Sequence, residues 1–171
     1  MIRTIKGRSL RAALLTCLSL FGLSLFGLPL FSLPLSAQDA LVVETSGGLA
    51  IGQLAFEPGQ EICLTWAHSV TGGPVADCFE NRSGTLVLAR SYLHDFAAGL
   101  GEVAGRGTLR SAETGGYWID GINEPIPGNA LRLRVGAPFV GHVLTSSTQR
   151  LNLSARAAGA SVYLRLRPMP S

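Results

Sequence analysis

From Gln38 onward, apolar and polar residues alternate with a period of two in short runs, and this pattern most limits what the chain can fold into. Such alternation is typical of strands with one buried face, and glycine, proline, asparagine and serine break the runs as they do in turns. Closely spaced short strands favour an antiparallel β-sandwich or a partly open β-barrel. The candidate strands are 41–44, 50–56, 61–66, 75–80, 85–91, 107–110, 117–119, 131–135, 142–144, 150–154 and 161–167.

Residues 1–37 have the composition of a secretory signal peptide. Four basic residues and no acid precede an apolar run from about Ala12 to Leu35, and the small residue Ala37 suits a cleavage site. The alternative is an uncleaved anchor that contacts the membrane, since the run approaches the ~20 residues of a membrane span. We expect an exported, periplasmic protein whose single all-β domain is residues 38–171.

The positive charge of the chain belongs to this leader. The whole chain has a net charge of +3, but the leader holds four of the fourteen basic residues and none of the eleven acids. Ten arginines therefore face eleven acids in the rest of the chain, which argues against a nucleic-acid partner. About 134 residues remain, which is the length of one domain.

Beyond the leader the chain has two cysteines, Cys63 and Cys78, on runs that read as the two strands of a hairpin. In an oxidising compartment a disulfide is the expected state of such a pair. A metal site built from cysteine and histidine is the alternative, but the spacing matches no zinc pattern. We expect no cofactor.

The same hairpin, Trp66 to Phe79, carries most of the candidate site residues. His68 and Asp77 flank the Thr71-Gly72-Gly73-Pro74 break, so we predict that they pair across the hairpin and order a recognition turn. The other histidines, His94 and His142, share no metal-ligand spacing with His68, and we interpret most histidines here as structural. One of Tyr117 and Trp118 should face outward from its strand.

Several pieces together resemble a family of small exported bacterial proteins that is a domain of unknown function. They are W-A-H-S-V, P-V-A-D-C-F, Tyr92 with Phe96 to Leu100, Tyr117 to Ile122, Leu131 to Gly136, and Gly141-His142. The family pattern has Glu where this chain has Asp77, and it lacks the cysteine pair. The resemblance implies a periplasmic or membrane-associated partner of TAXI-class TRAP transporters and no reaction.

We therefore expect a noncatalytic accessory protein that contacts the membrane subunit of such a transporter or its solute-binding protein. Two alternatives stay open: a secreted metal-binding protein or hydrolase that uses His68, Asp77 and His142, and a structural β module. The candidate binding residues are His68, Ser69, Pro74, Asp77, Trp118 and His142.

Overall fold

The computed structural model describes residues 38–95 and 105–169. The predicted signal peptide and the Phe96 to Leu100 piece lie outside these ranges. Within them the chain forms antiparallel sheets of short strands, so the predicted all-β fold is confirmed. The strands are β1 (Asp39–Thr45), β2 (Ala50–Ala55), β3 (Glu61–Ala67), β4 (Pro74–Arg82), β5 (Thr85–Leu93), β6 (Thr108–Ser111), β7 (Tyr117–Asp120), β8 (Glu124–Pro125), β9 (Ala130–Arg134), β10 (Val143–Thr145), β11 (Arg150–Asn152) and β12 (Ser161–Pro168).

Two sheets face each other across one core. The first has four strands in the order β2-β1-β12-β9, and the second runs β11-β10-β3-β4-β5-β7-β6, with β8 paired to β5. In the strands that form the core, alternate residues point inward, as when Leu41 and Val43 of β1 lie opposite Leu166 and Leu164 of β12. These side chains join those of Ile62, Leu64, Phe79 and Leu144 from the second sheet in one buried cluster. The period-two alternation of the sequence thus corresponds to the inner faces of a sandwich.

A buried asparagine ties the two sheets together at one end of the sandwich. The Nδ2 group of Asn81 donates to the Asp39 carboxylate at 2.8 Å and to the Phe56 carbonyl at 2.6 Å, both at the end of the first sheet. Its Oδ1 accepts the Gly84 N–H at 2.9 Å. All of these amide contacts are made by a side chain that is fully buried. The opposite end of the sandwich carries the candidate site.

One predicted strand was partly wrong. Leu153 and Ser154 do not continue β11 but begin a short helix, α1 (Leu153–Ala157). Asn152 caps this helix, because its Oδ1 accepts the Ala155 N–H at 2.9 Å. The two-residue strand β8 was not predicted. Among the helices of the described ranges, none has both the length and the hydropathy that crossing a membrane requires.

Candidate functional site

The β3–β4 hairpin forms as predicted and carries the disulfide. Cys63 and Cys78 are directly opposite each other in the register, and their sulfurs are bonded at 2.04 Å. The predicted disulfide pairing is therefore confirmed. Both residues lie on the outer face of the second sheet, since their neighbours Ile62, Leu64 and Phe79 point into the core.

The turn between these strands, residues 68–73, is organised by His68. The His68 N–H donates to the Gly73 carbonyl, and the His68 carbonyl accepts the Gly72 N–H, each at 2.8 Å. The side chain adds to this, because Nδ1 accepts the N–H groups of Val70 at 3.4 Å and Thr71 at 3.3 Å. Gly72 has φ of 71°, a conformation that favours glycine. His68 thus orders the turn through the backbone.

The predicted pair between His68 and Asp77 is wrong. Asp77 lies opposite Leu64, four residues before His68, which corresponds to roughly 13 Å along the strand. It also shares the core-facing side of the sheet with Leu64, and its Oδ1 accepts the Ser91 hydroxyl at 2.6 Å. Burial raises the pKa of Asp77, while the Ser91 hydrogen bond and the Arg106 charge act in the opposite direction.

The structure does bring His68 and Ser69 together with His142. All three line a cavity of about 550 Å³, which we call the histidine cavity. Adjacent residues of a strand point to opposite faces of a sheet. His68 and Ser69 lie in the turn after β3, so both can line the same cavity. The other lining residues are Trp66, Arg134, Val135, Gly136, Ala137, Val140 and Gly159.

His142 is the most constrained side chain of this cavity. It is buried, its ring stacks on Trp66 with centroids 5.6 Å apart, and its Nδ1 accepts the Gly136 N–H at 2.9 Å. Ser154 supports the same corner, because its Oγ accepts the His142 N–H and donates to the Gly136 carbonyl. Burial lowers the pKa of His142, so the neutral ring is favoured.

Two other predicted site residues, Pro74 and Trp118, lie elsewhere. They line a cavity of about 640 Å³ on the outer face of the second sheet, together with Cys63 and Tyr92. The Arg90 guanidinium lies 4.4 Å above the Trp118 ring, and Tyr92 packs beside Trp118 at 5.3 Å. Trp118 is therefore the outward-facing member of its pair. The predicted binding residues are divided among two cavities and, for Asp77, the inner face of the sheet.

Within the described residues, one group of three potential metal ligands has its ligand atoms within 4.8 Å of one another: Glu61, Cys63 and Cys78. The disulfide occupies both sulfurs, and the Glu61 carboxylate binds Arg90 through two hydrogen bonds of 2.6 and 2.9 Å. The Glu61 hydrogen bond is also the main reason that the pKa of Arg90 is raised. These atoms have structural partners and do not form a metal centre in the oxidised protein.

Sequence reasoning missed three contributors to the histidine cavity. Trp66 packs on the core and also forms a wall of the cavity. Gly136 allows a close approach, since a Cβ there would lie 2.7 Å from the Val140 Cβ and 3.1 Å from the His142 ring. Arg134 belonged to an alternating strand pattern that gives no sign of a cavity. The only sequence signal was Gly136, which directly follows the predicted strand 131–135.

A family model described as "Domain of unknown function (DUF1850)" matches residues 62–153. The chain belongs to the DUF1850 family. The match extends from β3 to the first residue of α1, so it includes the disulfide and every candidate binding residue. The predicted domain of unknown function is thereby confirmed, while the DUF1850 description specifies no partner and no activity. No curated protein and no solved structure matches the chain.

Proposed function

We propose that this DUF1850 protein is a noncatalytic periplasmic accessory protein that contacts a TAXI-class TRAP transporter. The contact surface consists of the turn 68–73 and the loop 135–142, which we call the loop surface. The observation that carries the proposal is the exposure of two large apolar side chains on it: Val70 is 85% exposed and Phe139 is 79% exposed. Loops often carry contact residues, and apolar side chains that are exposed together in one patch mark protein contact sites.

The two parts of the loop surface are held to each other. The Ala67 N–H, at the start of the turn, donates to the Val140 carbonyl at 2.7 Å. Within the loop, the Val140 N–H donates to the Ala137 carbonyl at 2.9 Å. His68 fixes the turn as described above. Because the backbone is ordered before a partner arrives, binding through Val70 and Phe139 costs less conformational entropy than binding through a flexible loop.

The choice of partner rests on the family resemblance, which associates such proteins with TAXI-class TRAP transporters. A transporter offers two exported or membrane-exposed protein partners, the solute-binding protein and the membrane subunit. The His68-Ser69-Val70 element, which is the most specific part of the resemblance, is also the part of the loop surface that exposes Val70.

Co-purification from the native membrane tests this function. The double variant Val70→Ser and Phe139→Ser should co-purify with at most about one tenth of the transporter that the wild type retains. Truncating two central apolar contacts should weaken the affinity by more than about tenfold. Leu49→Ser is the matched control, since Leu49 is 69% exposed on the β1–β2 turn of the other sheet. Full retention by the double variant, or no transporter captured by the wild type, would refute the proposal.

One observation favours the second candidate, a metal-binding protein or hydrolase that uses His68, Asp77 and His142. His68 and His142 line the same cavity, as such a site needs. Asp77 is not a lining residue of that cavity, and its carboxylate is bonded to Ser91. A rise of the melting temperature with added zinc that is lost in His68→Ala would support this candidate.

A further inference from the structure

The histidine cavity has the composition of a ligand site. Its volume of about 550 Å³ is within the range of small-molecule sites. Trp66, Val135 and Val140 provide apolar walls, whereas the polar side chains are those of His68, Ser69, His142 and Arg134. A mainly apolar cavity with few polar side chains selects a ligand that has one apolar part and one polar group.

The tautomer of His142 determines which kind of polar group the ligand should have. Because Nδ1 accepts the Gly136 N–H, the neutral ring carries its proton on Nε2. The stacking on Trp66 and the two Ser154 hydrogen bonds hold the ring and its backbone in place. The ring edge left for a ligand is therefore an N–H donor in a fixed orientation.

Charge points in the same direction. Among the described residues that line the cavity, Arg134 is the only charged one, and none is Asp or Glu. Six arginines of the described ranges form ion pairs with carboxylates: Arg82, Arg90, Arg106, Arg110, Arg165 and Arg167. Arg134 forms none with a described residue. A guanidinium without a described carboxylate partner that lines the same cavity as a fixed N–H donor favours an anion.

We propose that the histidine cavity binds an organic carboxylate that carries an apolar group. Its carboxylate accepts from the His142 Nε2–H and the Arg134 guanidinium, and its apolar part packs against Trp66. This inference goes beyond the proposed transporter contact and does not depend on it. The same carboxylate chemistry occurs in a free acid and at the C-terminus of a polypeptide.

Trp66 provides the measurement. The chain has two tryptophans, so Trp118→Phe leaves Trp66 as the sole reporter. Phenylacetate should change the Trp66 fluorescence and its indole N–H resonance saturably, whereas the neutral amide phenylacetamide should bind at least about tenfold more weakly. Arg134→Gln in this background should weaken phenylacetate binding by about tenfold or more, as expected for a lost charge-assisted hydrogen bond.

The matched control is Arg132→Gln, which removes the same charge two residues earlier on β9 but is not a lining residue. It should leave phenylacetate binding unchanged. Equal affinity for acid and amide, or no effect of Arg134→Gln, would overturn the proposal. So would a response to zinc alone that is absent with phenylacetate.

A last comparison identifies the source of the carboxylate. The tripeptide Gly-Gly-Phe with a free C-terminus and its C-terminal amide are titrated in the same way. Tighter binding of the free peptide than of phenylacetate indicates a polypeptide C-terminus, and the reverse order indicates a free acid. Either order supports carboxylate recognition, while equal binding of the peptide and its amide counts against it.

Discussion

His142 gives a pH dependence of stability whose direction follows from its burial. Its pKa is lowered in the folded protein from the ordinary value of 6.5, so the unfolded chain binds the proton more readily. The contribution of His142 to the free energy of unfolding is therefore fully present above pH 6.5. It decreases as the pH falls from 6.5 towards the lower pKa that His142 has in the folded protein. Nuclear magnetic resonance titration of the ring and urea unfolding should show both effects. A ring that titrates at or above 6.5 would contradict this.

Asp77 should change the pH dependence of stability in the opposite direction, and at a different pH. Burial raises its pKa above 3.8, so its protonated form is favoured by folding, and the stability it contributes is lost as pH rises through the folded value. Asp77→Asn keeps an oxygen for the Ser91 hydroxyl without the charge. We expect a higher melting temperature than wild type at pH 7 and little difference below 3.8. A lower melting temperature at pH 7 would show that the ionised carboxylate is needed.

The disulfide across β3 and β4 closes a loop with a sequence separation of 15. In the chain-entropy model a loop of this length stabilises the fold by about 3 kcal/mol. The double variant Cys63→Ser and Cys78→Ser should lose about this much in denaturant unfolding, and wild type treated with reductant should behave in the same way. Mass spectrometry without reductant should show no free thiol at either position. Equal unfolding midpoints for the oxidised and reduced forms would contradict the prediction.

Local sequence patterns predict the longer strands well and predict very short elements poorly. The alternation in residues 131–135 and 161–167 predicted β9 and β12, because each strand has one side that faces the core and one that faces water. The helix α1 was missed, since five residues are too few to show a helical period and the cap at Asn152 is a single residue. The strand β8 has only two residues, one of them Pro125, and no local signal marks it.

Asn81 connects the two sheets, and its replacement should affect the entire fold. In Asn81→Leu the Phe56 carbonyl and the Gly84 N–H lose their buried partner, and each such loss costs about 1 to 3 kcal/mol. We expect a decrease of about 3 kcal/mol in the free energy of unfolding, measured by urea denaturation. A decrease below about 0.5 kcal/mol, the usual range of surface substitutions, would show that the contacts are dispensable.

The histidine cavity could not be predicted from the sequence because it depends on contacts between distant segments. His68 and His142 were both identified as candidates, but they share a cavity only because β10 pairs with β3, with Val143 opposite Thr65. Asp77 was assigned to His68 by proximity in sequence, and the hairpin register places it beside Leu64 instead. The sequence therefore identified both histidines of the cavity as candidates, but it did not predict that they line the same cavity.

The position of β12 in the first sheet determines when the domain can fold. This strand, Ser161–Pro168, lies between β1 and β9 and is hydrogen-bonded to both, although β1 is the first and β12 the last strand of the described residues. The second sheet has its strands before residue 153, but the first sheet cannot close over the shared core until β12 has been synthesised. A nascent chain that stops before Ser161 therefore lacks Leu164 and Leu166, which lie opposite Val43 and Leu41 in the complete sheet.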